Sequence, residues 1–282
     1  MKTYYECIPC FINQVLRALP SIEKSQHELI LREVLHLLAG MDFELSPPEM
    51  ARNIFTIIEK YSGEKDLYAE IKRNSNKYIL DMEDELREII KDSTDSFLTG
   101  LHLAIAGNII DFGAKHDFSD KLIHKEIEDA LAVKLDTASV EEMQQLIEEA
   151  DTILYLGDNS GEIVFDKLFI EQLPKEKIIF AVRGGHIIND VLKQDAEDVG
   201  LSRIVRVVDN GFNAPGTVIE HCSDEFQEIF EGANLIISKG QGNYETLSDC
   251  NKKIVFLLKI KCDIVARDLK GSVGDFVIKV TP

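Results

Sequence analysis

No apolar stretch in these 282 residues reaches the ~18 that a membrane span requires. The opening segment, Met1-Lys2-Thr3-Tyr4-Tyr5-Glu6, lacks the apolar run of a secretion signal. Positive charge is scarce: 31 Lys and Arg stand against 50 Asp and Glu, a net charge of −19. Phosphate backbones demand basic surfaces, so nucleic acid is a poor partner. Five cysteines, an odd number, do not make a secreted disulfide framework. No internal repeat and no low-complexity tract interrupts the chain. These absences lead us to expect a cytoplasmic protein with no membrane partner, and they leave the oligomeric state open. At 45% apolar residues the chain can bury a full core.

The most informative stretch present is Leu154-Tyr155-Leu156-Gly157-Asp158-Asn159-Ser160-Gly161-Glu162. An apolar run over 152–156 stops at a glycine, two oxygen-rich side chains and a second glycine, and a helix-compatible segment follows over 163–173. This reads as a buried strand, a tight turn and a helix N-terminus. In open α/β sheets ligands bind beyond the carboxyl ends of the strands. A helix start offers free N–H groups to an anion. Asp158 and Asn159 offer hard oxygens to Mg²⁺ or Mn²⁺. An anion beside a divalent metal suggests a phosphorylated substrate.

The pattern recurs four times. Residues 178–182 end in Arg183-Gly184-Gly185-His186, with Asn189-Asp190 beyond. Residues 204–208 end in Asp209-Asn210-Gly211, residues 235–237 in Ser238-Lys239-Gly240-Gln241-Gly242, and residues 254–258 in Lys259-Ile260-Lys261-Cys262-Asp263. Short β-branched runs alternating with helix-length segments predict βαβ units and a parallel sheet. Right-handed crossovers put the strand ends on one edge, so Asp158, Asn159, Asp190, Lys239 and Lys261 should converge. Gly, Asn and Asp are also ordinary turn formers. Their recurrence at five strand ends weighs towards a site.

The first half has helical spacing over 10–19, 28–38, 47–60, 66–80 and 82–90. Residues 97–110 are apolar on all sides, as in a buried central helix. Ser139, with Glu142 three residues on, resembles a capping box opening a helix over 140–150. Residues 276–280 fit a last strand, antiparallel to the others. The expected fold is α/β, with a Rossmann-like, mostly parallel sheet flanked by helices. We expect an all-helical domain over 1–135 and a metal- and phosphate-binding α/β domain over 136–282.

Asp158-Asn159-Ser160-Gly161, Arg183-Gly184-Gly185 with Asn189-Asp190, Lys239-Gly240-Gln241-Gly242-Asn243-Tyr244-Glu245 and Lys261-Cys262-Asp263 resemble the motifs of the DUF89, or damage-control phosphatase, family. Glu6-Cys7-Ile8-Pro9-Cys10 and Ala106-Gly107-Asn108-Ile109-Ile110-Asp111-Phe112-Gly113 resemble its short microbial branch. The resemblance implies a metal-dependent phosphatase acting on small phosphometabolites. It implies Asp158, Asn159 and Asp190 as catalytic metal ligands, with Mn, Mg, Co or Ni as the metal. It also implies a substrate loop over Lys239, Gly240, Gly242 and Asn243, and Lys261 as a phosphate contact. Gly161, Glu162 and Arg183 complete the candidate substrate-binding set. The eukaryotic sugar-phosphate branch carries Arg-Thr-x-Lys at the last strand end. Here Leu258-Lys259-Ile260-Lys261 keeps only the final lysine.

Asn159-Ser160 follows Asp158, so the Asp-x-Asp signature of aspartyl-phosphate phosphatases is absent, which favours metal-activated water over attack by Asp158. His186 is a candidate general acid or a partner to the metal-binding loop. Cys7 and Cys10 can form a redox pair or half of a zinc site, with Cys262 or Cys222 as third partner, or can be packed thiols. Two other functions remain open at this level. One is a nucleotide- or S-adenosylmethionine-binding transferase, although Gly-x-Gly-x-x-Gly is missing. The other is a zinc- or redox-responsive binding protein built on Cys7 and Cys10.

Overall fold

The computed structural model describes residues 1–107 and 120–281. Residues 108–113, including Asn108 and Asp111, therefore lie outside the described residues. Helices lead: α1 Ile8–Ala18, α2 His27–Ala39, α3 Pro47–Ser62, α4 Ala69–Asp81, α5 Glu83–Asp92, α6 Ser96–Ala106, α7 Asp120–Leu131 and α8 Thr137–Glu149. A strand–helix alternation follows: β1 Ile153–Leu156, α9 Glu162–Ile170, β2 Ile178–Val182, α10 Lys193–Asp198, β3 Arg206–Asp209, α11 Asp224–Gly232, β4 Leu235–Lys239, α12 Gln241–Leu247, β5 Ile254–Lys259, α13 Asp263–Leu269 and β6 Phe276–Val280.

The sheet order is β3-β2-β1-β4-β5-β6. Five strands are parallel and β6 is antiparallel to β5, as the sequence predicts. The order reverses between β1 and β4, which makes their carboxyl ends the switch point where open α/β sheets bind ligands. Both faces are covered, so β1 and β2 are apolar throughout, and β4 and β5 nearly so, rather than alternating. Ile153, Tyr155, Leu235, Ile237, Val255 and Leu257 face α6, α8 and α9. Leu154, Leu156, Ile236, Ile254, Phe256 and Leu258 face α11, α12 and α13.

The expected boundary near residue 135 does not coincide with a break in packing. One core joins Ile79, Leu86 and Ile105 of the leading helices to the sheet. Residues 100–106 of α6 are all buried, and a Cβ on Gly100 would lie 3.2 Å from the Phe169 ring of α9. A separate core forms among α1, α2 and α3, and Ile187 inserts into it from the loop after β2. Ser46 and Glu49 close a capping box on α3, and Gly63 ends that helix at φ +69°. At α8 the cap differs from expectation. Asp136, not Ser139, is the N-cap, and its carboxylate accepts Ser139 N at 2.9 Å and Ser139 Oγ at 2.7 Å. The carboxylate is the stronger acceptor, so the helix begins nearly one turn earlier. Among the described residues no helix is long and apolar enough to cross a membrane.

Candidate active site

The loops after β1 and β2 are stitched together by their backbones. Val191 N donates to Asp158 O at 2.9 Å, Ser160 N donates to Asn189 O at 2.9 Å, and Asn159 bridges Asp190 in antiparallel fashion. Asp158, Asn159 and Asp190, about thirty positions apart at the extremes, are thus brought to one place. Arg183 leaves the end of β2 and meets both acids. Its Nε donates to Asp190 Oδ2 at 2.7 Å, and Nη2 lies 3.5 Å from Asp158 Oδ1. Ile188, in the same loop, has a φ of +42°, a conformation that costs a β-branched residue about 1–3 kcal/mol. The seating of Ile187 in the α1–α3 core holds that conformation.

Burial dominates the electrostatics. It raises the Asp158 carboxyl above the ordinary range, and Glu162 adds repulsion that Arg183, Lys261 and Lys239 only partly offset. It pushes Asp190 up to about 7, against the pull of Arg183. Ser160, the next residue in the chain after Asn159, keeps a buried Oγ without a hydrogen-bond partner. Two desolvated carboxylates and an amide make a hard-oxygen donor set. That set fits a hard divalent cation that keeps positions for water or phosphate. Among the described residues no group of three His, Cys, Asp or Glu side chains is arranged to hold a metal. The set here differs in having two carboxylates and an amide.

Several residues expected to bind substrate are committed to the scaffold. Lys239 is fully buried, and its Nζ donates to Glu162 Oε1 at 2.6 Å, Asp166 Oδ1 at 2.5 Å and Ala104 O at 2.7 Å. An ammonium has three donors, so none is left for a phosphate. Burial opposes its charge, yet the Asp166 and Glu162 carboxylates prevail and push its pKa up. Asn243 is also fully buried. Its amide donates to Lys239 O at 2.8 Å and Gly157 O at 3.3 Å and accepts from Arg183 Nη1 at 3.1 Å and Thr217 Oγ1 at 2.8 Å. Gly161 N–H, expected at an anion, donates to Asn76 Oδ1 at 2.6 Å, and Gly240 N–H donates to Leu257 O. Gly242 packs tightly beneath the loop after β3, where a Cβ would lie 1.9 Å from Pro215 O. Glu162 is fully buried and reaches Asn159 Nδ2 at 3.2 Å.

Lys261 is the exposed cation of the expected set. Its charge reaches Asp158 and Glu245. Gln241 fixes the loop beneath it, accepting Lys261 N at 2.9 Å and donating to Glu245 Oε1 at 2.8 Å. Burial pushes Glu245 up to about 7.

Gly240 has a strict steric duty. Its φ is +80°, and a Cβ there would fall 2.0 Å from Asp158 Oδ2. Gly240→Ala should therefore displace the Asp158 carboxylate; if that carboxylate serves a reaction, as the sequence leads us to expect, the loss is on the order of 100-fold in kcat, the scale reached when a reacting group is misplaced by about 1 Å. Steady-state kinetics on a folded variant checks this; unchanged kcat would show that Asp158 need not stay where it is.

α4 belongs to the site although no motif points to it. Its Lys72, Ser75, Asn76 and Ile79 face is buried although three of the four are polar. Asn76 links Gly161 N to Asp195, and Lys72 Nζ pairs with Asp66 at 2.6 Å. His186 Nδ1 lies 2.8 Å from the same Asp66 carboxylate, so the histidine joins the helical layer to the loop after β2. Polar residues at helical spacing without an apolar counter-stripe are the available signal.

All five cysteines are free. Burial pushes Cys7 up to about 11 and raises Cys10, the reverse of a thiolate activated by a helix start. Cys262, not Cys222, is the thiol whose charge reaches them. Cys222 is buried elsewhere and donates to Val218 O at 3.3 Å.

The profile of the damage-control phosphatase ARMT1-like domain matches residues 3–277. The chain belongs to the damage-control phosphatase ARMT1-like family. A damage-control phosphatase of Pyrococcus horikoshii is 35% identical, the match covering 98% of this chain and 97% of that one. A damage-control phosphatase of Archaeoglobus fulgidus is 35% identical over 82% of this chain and 81% of its own. The crystal structure of a DUF89 family protein from P. horikoshii superposes with a TM-score of 0.88 at 34% identity, covering 99% of both chains. The mixed α/β architecture of this damage-control phosphatase family member is thus that of its solved relative.

Proposed function

We propose that this protein hydrolyses small phosphate monoesters with a divalent cation held by Asp158, Asn159 and Asp190. The observation that carries the proposal is the joining of these three oxygen donors at the β1/β4 switch point, within electrostatic reach of the exposed Lys261. The names of the relatives, damage-control phosphatases at 35% identity, support the reaction class. A bound cation of this kind neutralises phosphoryl oxygens and acidifies water. Lys261 holds a phosphoryl oxygen as the substrate enters. Arg183 keeps Asp190 aimed inward. Glu245, whose carboxyl burial raises to about 7 and which lies within electrostatic reach of Asp158, is the candidate proton donor to the leaving oxygen. The substrate is a small phosphometabolite, and Mn²⁺, Mg²⁺, Co²⁺ and Ni²⁺ are the candidate metals.

The transferase alternative loses its anion cradle, because Gly161 N–H and Gly240 N–H are already bonded within the protein. The redox alternative sits poorly with thiols whose pKa values are raised. Hydrolysis of p-nitrophenyl phosphate after chelation, with each of the four metals restored in turn, tests the proposal. Recovery with at least one metal is expected, and no recovery with any of them rejects it. Lys261→Ala should cost about 1.5–3 kcal/mol of transition-state binding, roughly 10- to 150-fold in kcat/KM. Inhibition by inorganic phosphate should weaken in parallel; unchanged kcat/KM would remove Lys261 from the site.

A further inference from the structure

An asparagine ligand has a chemical ambiguity. One side of its amide is an oxygen that binds a cation, and the other is an NH₂ that cannot. At Asn159 the surroundings resolve it. Nδ2 donates to Asp158 Oδ2 at 2.8 Å and to Glu162 Oε2 at 3.2 Å. Both acceptors are carboxylate oxygens, so a flipped amide would set oxygen against oxygen. Glu162 in turn cannot swing. It is fully buried, and Lys239 Nζ holds its other oxygen at 2.6 Å. Lys239 is itself pinned by Asp166 and by the Ala104 carbonyl near the end of α6. Gly107 closes the remaining space, since a Cβ there would lie 3.0 Å from Glu162 Cγ.

We propose that the Lys239–Glu162 pair is a positioning device that fixes the Asn159 amide so that Oδ1 is the atom offered to the cation. This rests on the reading of Asp158, Asn159 and Asp190 as the cation site. Partners that orient metal ligands from outside typically carry roughly 10–100-fold in metal affinity.

Two substitutions separate this role from plain ligation. Asn159→Asp keeps an oxygen donor and adds a negative charge. If Asn159 merely supplies an oxygen, the variant binds Mn²⁺ more tightly. If the amide is fixed as proposed, the variant loses both N–H bonds and places a third carboxylate between Asp158 and Glu162, so binding weakens. Glu162→Gln leaves a balanced Lys239–Asp166 pair inside the protein. Its amide must set an NH₂ against either Lys239 or Asn159, which releases the Asn159 orientation.

The readout is Mn²⁺ titration calorimetry on chelator-stripped protein, with metal-free melting curves alongside. Expected is a rise in Kd of roughly 10–100-fold for both variants, with the Glu162→Gln melting temperature little changed. Tighter binding by Asn159→Asp overturns the proposal. So does a Glu162→Gln protein that melts lower yet binds Mn²⁺ like the parent, since that is the mark of a merely structural carboxylate. If Glu162→Gln does not fold, the sign of the Asn159→Asp change still decides. A parent protein that binds none of Mn²⁺, Mg²⁺, Co²⁺ and Ni²⁺ would reject the cation site itself, and this proposal with it. A parent that binds while both variants bind equally well rejects only the positioning role.

Discussion

Asp158→Ala should lower kcat/KM for a phosphate monoester by at least about 1,000-fold, while the metal-free variant melts no lower than the parent. The first half follows from the chemistry proposed for the site. Neutralisation of phosphoryl charge by a bound cation is worth several kcal/mol, and a thousandfold corresponds to ~4 kcal/mol. Asp158 is one of two carboxylates in the proposed ligand set, so its loss removes half of the anionic charge that would retain the cation. The second half follows from burial. Desolvation raises the Asp158 carboxyl above its ordinary range. The folded protein therefore holds a proton that the unfolded chain releases once pH exceeds the ordinary carboxylate value. Its contribution turns unfavourable as pH rises through that window, and it stays unfavourable at neutrality. Asp190 keeps a partner in the variant, since Arg183, 2.7 Å from it in the parent, is untouched by the substitution. Kinetics at saturating Mn²⁺ and melting curves on stripped protein check the two halves separately. Activity within tenfold of the parent would sink the assignment of Asp158 to the cation.

The strand ends are legible in the sequence because two signals coincide there. A parallel sheet covered on both faces demands apolar strands, and the chain can turn sharply only with glycine or a short oxygen-bearing side chain. β2 is found over the residues predicted, and β1, β4 and β5 differ from expectation by one or two residues at an end. β3 starts two residues later than its apolar run suggests, because Ile204 and Val205 continue the run but belong to the turn after a 3₁₀ segment, Leu201–Arg203. The convergence of Asp158 with Asp190 follows from topology alone.

What the sequence does not reveal is which polar atoms are already taken. Gly161 N–H is capped by Asn76, 85 positions earlier, and no local pattern encodes that contact. The same limit hides the α4 face and the clamp of Gln241 on the Lys261 loop. Lys239 illustrates it most clearly. Side chains alternate along a strand, so Lys239 shares a face with Leu235 and Ile237, and that face packs on α6 and α9. In a sheet exposed on one side this parity would have placed the lysine. Here both faces are buried, so parity names a face without telling solvent from core.

That placement makes Lys239→Met the largest expected loss of stability in the molecule. The substitution fills the same space but leaves the Glu162 and Asp166 carboxylates together at 0% and 1% exposure, without the ammonium between them. Removing one partner from a buried ion cluster costs about 3–5 kcal/mol. For a chain of this size that is roughly 6–20 °C in melting temperature. The pH dependence has a definite sign. Burial already pushes Asp166 up to about 7 with Lys239 in place, and losing the lysine raises it further. The folded variant then binds protons that its unfolded form releases above the ordinary carboxylate range. Its stability falls as pH rises through that window, so the deficit against the parent is smallest in acid and fullest above neutrality. Lys239→Met/Glu162→Gln/Asp166→Asn should recover most of the loss, since no uncompensated charge remains. The amide oxygen introduced by Asp166→Asn can still accept the Tyr155 hydroxyl, which the Asp166 carboxylate takes at 2.7 Å. Denaturant melts across pH on the single and triple variants supply the measurement. A single variant within about 1 kcal/mol of the parent at neutral pH would mean that Lys239 is not the counter-charge of this core, and that it is free to face a substrate after all.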